Sequence, residues 1–451
     1  MVGVLLANAA SAGDLLAARQ QMALSLGWHI VVACFGVAFP IFILLAEWRG
    51  TRGDRDAAEL ARRWSKAFAV LFAVGAVSGT ILSFELGMLW PGMVAAFGDV
   101  WGLAFAIEGV AFFLEAIFLG IYLYGWDRFP PKAHLLVGLP IPIAGAASAW
   151  IVVTANAWMN HPTGFDAATY SATGRVIDVD PWAAMFNPAT PVQATHMILA
   201  ALMVGGFVVA SVYAWGWLRG RRARRDRLGF TIAFLVALAA TPAQIVVGDW
   251  AARFAAEHQP IKFASLEAVY RTEAHVPLRI GGWVSGEQVR WAVAIPGGLS
   301  WLATRDADAV ITGLDSVPAD ERPPTAIVRS AFQAMVGIGF LLLFAGVWFL
   351  LAWWRRRSPP RSTWFWRLAW AAGPLAVIAL QAGWAVTEVG RQPWIVYGLM
   401  RVDEAVTTAP GIRVGFWVVT AVYAVLTVAT VFVLSGLGRS LRSADLGAAD
   451  G

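Results

Sequence analysis

Nine runs of apolar residues alternate with polar connectors along the chain. Each run is close to the roughly 20 residues that carry a helix across about 30 Å of hydrocarbon. They fall at 22–47, 67–89, 101–125, 135–157, 192–218, 229–248, 330–354, 367–388 and 413–436. The predicted fold is an all-α integral membrane protein with about nine transmembrane helices. One connector breaks the rhythm. Residues 249–329 are polar, carry six prolines from Pro260 to Pro324, and are too long for a plain link. The chain therefore divides into an N-terminal segment (1–21), a six-helix membrane region (22–248), a long loop (249–329), a three-helix membrane region (330–436) and a tail (437–451). Within the loop, Trp283, the run Val289 to Val293 and Ile295 are apolar, which predicts packing on the membrane face.

Composition agrees with this division. With 59% hydrophobic residues, 24 Trp and 14% charged residues in 451, the chain is not a string of soluble domains. Charge sharpens the picture. Arg49, Arg52, Arg55, Arg62, Arg63 and Lys66 follow the first span, Arg128 and Lys132 the third, Arg219 to Arg227 the fifth, and Arg355 to Arg367 the seventh. The positive-inside rule puts these connectors in the cytoplasm, with the N-terminus and the long loop outside. Nine spans then return the tail, with Arg439 and Arg442, to the cytoplasm. The formal charge of +5 is thus a topology signal and not a nucleic-acid surface. Residues 1–21 lack the basic start and apolar stretch of a signal peptide, so the first span is expected to act as its own insertion signal. Cys34 is the lone cysteine, which excludes an intrachain disulfide and a cysteine metal cluster.

Candidate chemistry gathers in the outer leaflet. Glu388 ends the eighth span and Arg391 lies about one turn beyond it. A charged side chain at the bilayer centre costs roughly 2.5–3.5 kcal/mol, so such groups persist where a partner or cofactor offsets the cost. His29, His196, Met335 and Glu108 lie at similar depth in the first, fifth, seventh and third spans. Imidazole, thioether and carboxylate are iron donors, and a guanidinium matches haem propionates. Each residue also has a plainer reading. A membrane histidine is often a helix–helix hydrogen-bond partner, and methionine is common apolar filler. Glu85, Glu108 and Glu115 are either salt-bridged structural groups or steps on a proton path. Glu115, stacked below Glu108 on nearly the same helix face, favours the path. Trp384, one turn before Glu388, is placed for an electron path. His134, His161, His258 and His275 read as ordinary surface residues in loops or at span ends.

Several separated motifs then fall into order: Ala23-Leu24-Ser25-Leu26-Gly27-Trp28-His29, Ala106-Ile107-Glu108-Gly109, Phe112-Phe113-Leu114-Glu115, Gly125-Trp126-Asp127-Arg128, Ala155-Asn156-Ala157-Trp158-Met159, Gly248-Asp249 and Gly390-Arg391-Gln392-Pro393-Trp394. With nine spans between and around them, the chain resembles subunit I of the cytochrome bd-type quinol oxidases over essentially its whole length, in the form with a short quinol loop. The resemblance implies that His196 and Met335 are the axial pair of a low-spin haem b. It implies His29 and Glu388 as axial ligands at a di-haem site holding a second haem b and haem d, or a third haem b in its place. Glu108 matches an acid beside that site, Glu115 a proton-channel acid and Ser148 a hydroxyl on the same route. Arg391 matches an arginine near haem propionates, and Trp384 a tryptophan near the haems. Lys262 and Glu267 match the pair implicated in quinol oxidation within the outer loop. Two positions depart from the family's pattern: Gln333 stands where some members have an arginine, and Ala116 where a serine would extend the polar path.

The expectation is a bacterial inner-membrane terminal oxidase. Quinol would be oxidised at the outer face and O2 reduced to water, generating proton-motive force without pumping. A second membrane subunit and a small single-helix subunit are the partners the resemblance implies. The rivals are a family member with haem b alone and altered oxygen chemistry, and a proton-coupled transporter using Glu108, Glu115 and Glu388. The transporter would need repeats or broken helices, and the sequence shows neither.

Overall fold

The computed structural model describes residues 12–447, with side chains from 14 to 439. Of the expected flanking segments, 1–11 and 448–451 lie outside the described residues, as does the side chain of Arg442; 12–21 and 437–447 continue the first and last helices. Nine long helices are present among the described residues: α1 (Ala12–Gly50), α2 (Arg55–Leu89), α3 (Pro91–Gly125), α4 (Pro140–Asn160), α5 (Thr190–Leu218), α6 (Arg224–His258), α7 (Thr325–Arg356), α8 (Thr363–Val389) and α9 (Ile412–Gly447). A short helix, Pro131–Gly138, leads into α4.

Every predicted span is helical, the fourth divided at Leu139 between the short helix and α4, and most run past their apolar windows. Hydrophobicity marks only the part that meets hydrocarbon, whereas local chemistry sets the ends. Asp54 caps α2 by accepting from Ala57 N at 3.2 Å, so the polar stretch before residue 67 is already helical. Proline opens α3 and α4, where its missing N–H costs no intrahelical bond.

Small residues set the packing. A Cβ added at Gly206 of α5 would meet Ala233 O of α6 at 2.6 Å, and one at Gly205 would meet Ala38 Cβ of α1 at 2.4 Å. Close backbone approach is how helices associate where no water drives them together. The result is a core in which α1, α5, α6 and α8 interlock, with α2 and α7 against it. About 56% of the apolar window is buried in α1 and in α5, against 6% in α9, so α9 is peripheral. It leans on α1 through Trp28, whose Nε1 donates to Thr427 Oγ1 at 2.9 Å.

The basic connectors share one end of the bundle. There Arg224, opening α6, reaches Asp54 and Asp56 at 2.7 Å each, tying α6 to the α1–α2 turn. His134 is a correction. It was expected at the surface, yet it is 2% exposed. Its Nδ1 pairs with Glu47 Oε1 at 2.7 Å, and Tyr122 OH donates to the other Glu47 oxygen at 2.5 Å. Sequence distance hid this cluster, because its members come from α1, α3 and the helix before α4.

The long loop occupies the opposite end and is far from structureless. α6 continues to His258, and a short helix follows at Pro260–Glu267. A hairpin pairs β1 (Leu278–Ser285) with β2 (Gln288–Ile295). Gly286 opens its two-residue turn at φ +62, a left-handed value that favours glycine. The expected packing of its apolar residues on the membrane face is not made within this chain. Trp283 and Trp291 are 57% and 82% exposed, so the hairpin presents them outward.

Replacing Gly206 with leucine should force α5 from α6 and destabilise the bundle by about 1–3 kcal/mol or more. Thermal unfolding in detergent checks this: a lowered midpoint is expected, and an unchanged one would show that the seam yields freely.

Candidate functional site

The candidate residues lie in the loop-side half of the bundle, and α8 joins them. Gln381 Nε2 donates to Gly27 O at 2.6 Å, fixing α8 against α1 just before His29. Gly383 faces α7: a Cβ there would lie 3.0 Å from Met335 Sδ. Trp384 follows, packed at the edge of the core. Glu388 closes the helix, with one oxygen accepting from Arg391 Nη2 at 2.6 Å and the other from Asn156 Nδ2 of α4.

Each imidazole also faces a glycine on a neighbouring helix. A Cβ at Gly79 of α2 would come within 3.1 Å of His29 Cε1, and one at Gly248 of α6 within 3.6 Å of His196 Cε1. His29 is oriented as well as accommodated. Ser78 Oγ donates to Gly75 O at 3.0 Å, so it accepts from His29 Nδ1 at 2.8 Å and leaves Nε2 free to donate its lone pair. Sequence reasoning missed Ser78, since a serine in an apolar helix gives no signal until its neighbour is known.

Several buried polar atoms have no protein partner. They include His196 Nδ1 and both Nε and Nη1 of Arg391. Leaving such groups unsatisfied costs about 1–3 kcal/mol each, more for a charge. Arg391 is 2% exposed while Glu388 beside it is 31% exposed, so the carboxylate stays accessible where the guanidinium does not. Imidazoles, a thioether and a carboxylate next to unpaired guanidinium nitrogens form a donor set that suits an iron centre with anionic substituents. The residues fit haem.

On the α3–α4 seam, Ser148 Oγ donates to Glu108 Oε1 at 2.7 Å. Glu115 lies deeper, 4% exposed, with Oε1 unpartnered. Gly145 of α4 makes room for it, its added Cβ reaching Glu115 Oε1 at 3.0 Å. Neither carboxylate, nor Glu85, forms a salt bridge among the described residues of this chain. Glu85 accepts from Gln21 Nε2 at 2.9 Å instead.

Lys262 and Glu267 sit on the short loop helix, both nearly buried at 6% and 5% exposure. They are not brought together. Lys262 Nζ donates to Asn160 Oδ1 of α4 at 2.9 Å, whereas Glu267 pairs with Arg329 of α7 at 3.4 Å. Five residues turn a helix by well over a third of a revolution, so the two face different neighbours. Burial, with the positive charge of Arg391, pushes the Lys262 ammonium down to about 7, against the pull of Glu388. Burial pushes the Glu267 carboxyl up to about 7 despite Arg329.

Arg329 is the other residue the sequence concealed. It is 1% exposed and also donates to the backbone oxygens of Glu267, Arg279 and Gly281, at 3.0, 2.7 and 3.0 Å. The helix carrying Met335 is thereby pinned to the loop. Gln333 takes part too, accepting from Gly281 N at 3.0 Å. In the Gly248-Asp249 motif, Asp249 anchors Arg253 and Arg305 at 2.7 and 2.9 Å. Beside them lies an open cavity of about 580 Å3, lined by Trp250, Arg253, Phe254, Phe263, Arg305 and Val310 among others. Lys262 and Glu267 do not line it; the loop helix turns Pro260 and Phe263 toward it.

Known proteins resemble this chain in sequence and fold. The sequence profile of cytochrome bd terminal oxidase subunit I matches residues 17–440. A Bacillus subtilis (strain 168) chain assigned as a cytochrome bd menaquinol oxidase subunit I is 38% identical over 93% of this chain and 96% of its own length. Cytochrome bd-II ubiquinol oxidase subunit 1 of Escherichia coli (strain K12) is 27% identical over 93% and 95% of the two chains. The structure of bd oxidase from Geobacillus thermodenitrificans superposes with a TM-score of 0.86 at 39% identity, covering 95% of this chain and 98% of that one. The chain thus belongs to the cytochrome bd terminal oxidase subunit I family and is a multi-pass membrane subunit of a quinol oxidase.

Proposed function

We propose that this chain holds the haems of a terminal oxidase that oxidises quinol at its loop end and reduces oxygen to water at a di-haem site within the same half of the bundle. The observation that carries the reading is that three candidate iron donors each face a glycine across a helix seam, while His196 Nδ1 and two Arg391 nitrogens lie buried without protein partners. His196 and Met335 would hold the low-spin haem b. His29 and Glu388 would serve the di-haem site, with a second haem b and haem d, or a third haem b. When bound, these groups supply one-electron transfer from quinol to oxygen and the iron at which oxygen is reduced.

The chain's own residues do the rest. Arg391, with one nitrogen on Glu388, keeps Nε and Nη1 for the propionates. Ser78 holds the His29 tautomer that presents Nε2. Trp384, one turn before Glu388 on α8, packs at the edge of the core, where an electron path between the haems would pass. Lys262 and Glu267 are poised near neutrality, where a proton acceptor for quinol is most effective. Their burial requires quinol, docking from the cavity beside Phe263, to reach them by displacement of the loop helix. Arg329 ties that helix to α7, so the placement of the quinol site and of Met335 is shared.

The positive-inside rule places the loop end outside and the arginine-rich end in the cytoplasm. Quinol protons then leave outside. Protons for water come from the cytoplasm by way of Glu115, then Glu108 with Ser148, and the opposed sites charge the membrane without a pump. The relatives' names, subunit I and subunit 1, imply a second membrane subunit beside this one. A small single-helix subunit is a further partner.

Replacing His196 or Met335 with alanine should abolish the low-spin haem absorbance and quinol oxidation together. Low-spin absorbance retained in both variants would refute the pair. Reduced-minus-oxidised spectra with haem extraction on the native protein should yield haem b and a chlorin band in the red; haem b alone would identify the all-b form.

A pH profile tests the loop pair. Each group becomes an acceptor only on losing its proton near 7, so kcat/KM for decylubiquinol should rise between about pH 6 and 8. Glu267→Gln should flatten that rise and lower the rate roughly 100-fold while haem content stays native. A native profile that falls over the window would remove the acceptor role.

A further inference from the structure

A line of side-chain hydrogen bonds runs from Lys262 to Glu388. Lys262 Nζ donates to Asn160 Oδ1 at 2.9 Å, and Asn160 Nδ2 donates to Asn156 Oδ1 at 3.0 Å. Asn156 Nδ2 then donates to Glu388 Oε1. Arg391 closes the far end on Glu388 Oε2 at 2.6 Å. The array joins the quinol loop to the end of α8 through two asparagines of α4.

Its direction is fixed by its ends. An ammonium can only donate and a carboxylate can only accept. Asn160 must therefore turn its oxygen to Lys262, which commits its nitrogen to Asn156, and Asn156 repeats the choice toward Glu388. Both amide dipoles point the same way, and each hydrogen bond polarises the next. The surroundings hold this arrangement. Asn160 is fully buried, its Nδ2 also donates to Asn156 O at 2.9 Å, and its backbone oxygen accepts from Gln259 Nε2 at 2.7 Å. Gly390 lets the lysine pass close to the end of α8: a Cβ there would lie 3.3 Å from Lys262 Cε.

We propose that Asn160 and Asn156 form a positioning bridge through which Lys262, at the quinol end, sets the electrostatic field on the Glu388 carboxylate. The bridge deepens the functional reading above and rests on its roles for Lys262 and Glu388. With Lys262 in place, the aligned amides draw electron density away from Glu388. When Lys262 is absent or turned to another partner, the array loses its cationic end and Glu388 becomes a stronger electron donor. That carboxylate would then favour the oxidised form of a haem iron it served. Occupancy of the quinol site is in this way reported to the Glu388 end of α8 by two amides, without movement of the helix.

A double-mutant cycle tests the bridge in the assembled oxidase. The variants are Lys262→Met, Asn160→Leu and the pair together, each with native low-spin haem absorbance as the sign of a folded bundle. Two quantities are read: KM for decylubiquinol, and the spectropotentiometric midpoint of the high-spin haems. Lys262→Met should raise KM about tenfold, the size of a lost hydrogen bond to a charged group, and lower the midpoint. In the Asn160→Leu background the same lysine change should lose more than half of its effect on the midpoint. If Asn160→Leu does not fold, Asn160→Ser, too short to span Lys262 and Asn156, carries the same cycle. A raised KM with equal midpoint shifts in both backgrounds would refute the bridge and leave the functional reading standing. A KM unmoved by Lys262→Met would instead overturn the quinol role of the lysine, and the bridge with it.

Discussion

The ion pair at the end of α8 constrains the rest of the structure. Glu388 and Arg391 lie 2.6 Å apart, with the guanidinium almost entirely buried. Desolvating two charges is repaid only when geometry is good and the remaining lone pairs and protons find partners. Asn156 supplies one such partner, and it brings α4 against the end of α8. Asn160 and Gln259 follow, drawing in the loop helix. The two unpaired nitrogens of Arg391 leave a demand that the protein does not meet. The carboxylate arms of the proposed haem would meet it.

The seams of the bundle serve that same demand. Helices in lipid gain little from hiding apolar surface and associate through close packing. Here glycines do two jobs that are distinct in position. Gly205 and Gly206 bring α5 onto α1 and α6 in the middle of the core, whereas Gly79, Gly248 and Gly383 stand opposite His29, His196 and Met335. The first set closes space between backbones. The second keeps space beside donor atoms.

The two ends of the molecule differ in kind. The basic end is tied by surface ion pairs such as Arg224 with Asp54 and Asp56, which fix register more than they stabilise. The loop end is tied by buried charge: Arg329 on Glu267, and Lys262 on Asn160. Buried pairs hold their geometry and their sensitivity to protonation, which suits the proposed role of this end. Between the ends, Glu115 and Glu108 stand on one seam without ion-pair partners among the described residues, as the proposed proton route would use them.

Much of this was legible in the residues alone. Nine apolar runs dictated the nine long helices among the described residues, because hydrocarbon tolerates no unpaired backbone. The arginine clusters sorted the connectors to two ends. Single polar residues inside spans, His29, His196 and Glu388, stood out because their cost in lipid demands a reason, and Met335 joined them as a thioether at similar depth. The sequence could not show which polar groups meet. His134 read as a surface residue until α1 and α3 closed over it. Lys262 and Glu267 read as a pair until the loop helix turned them to different partners, and Ser78, Asn156, Asn160 and Arg329 drew no notice in their roles. Periodicity and hydropathy are properties of one segment in its solvent, so the chain fixes them locally. Hydrogen-bond partnership across helices depends on crossing and depth, which only the packed bundle decides.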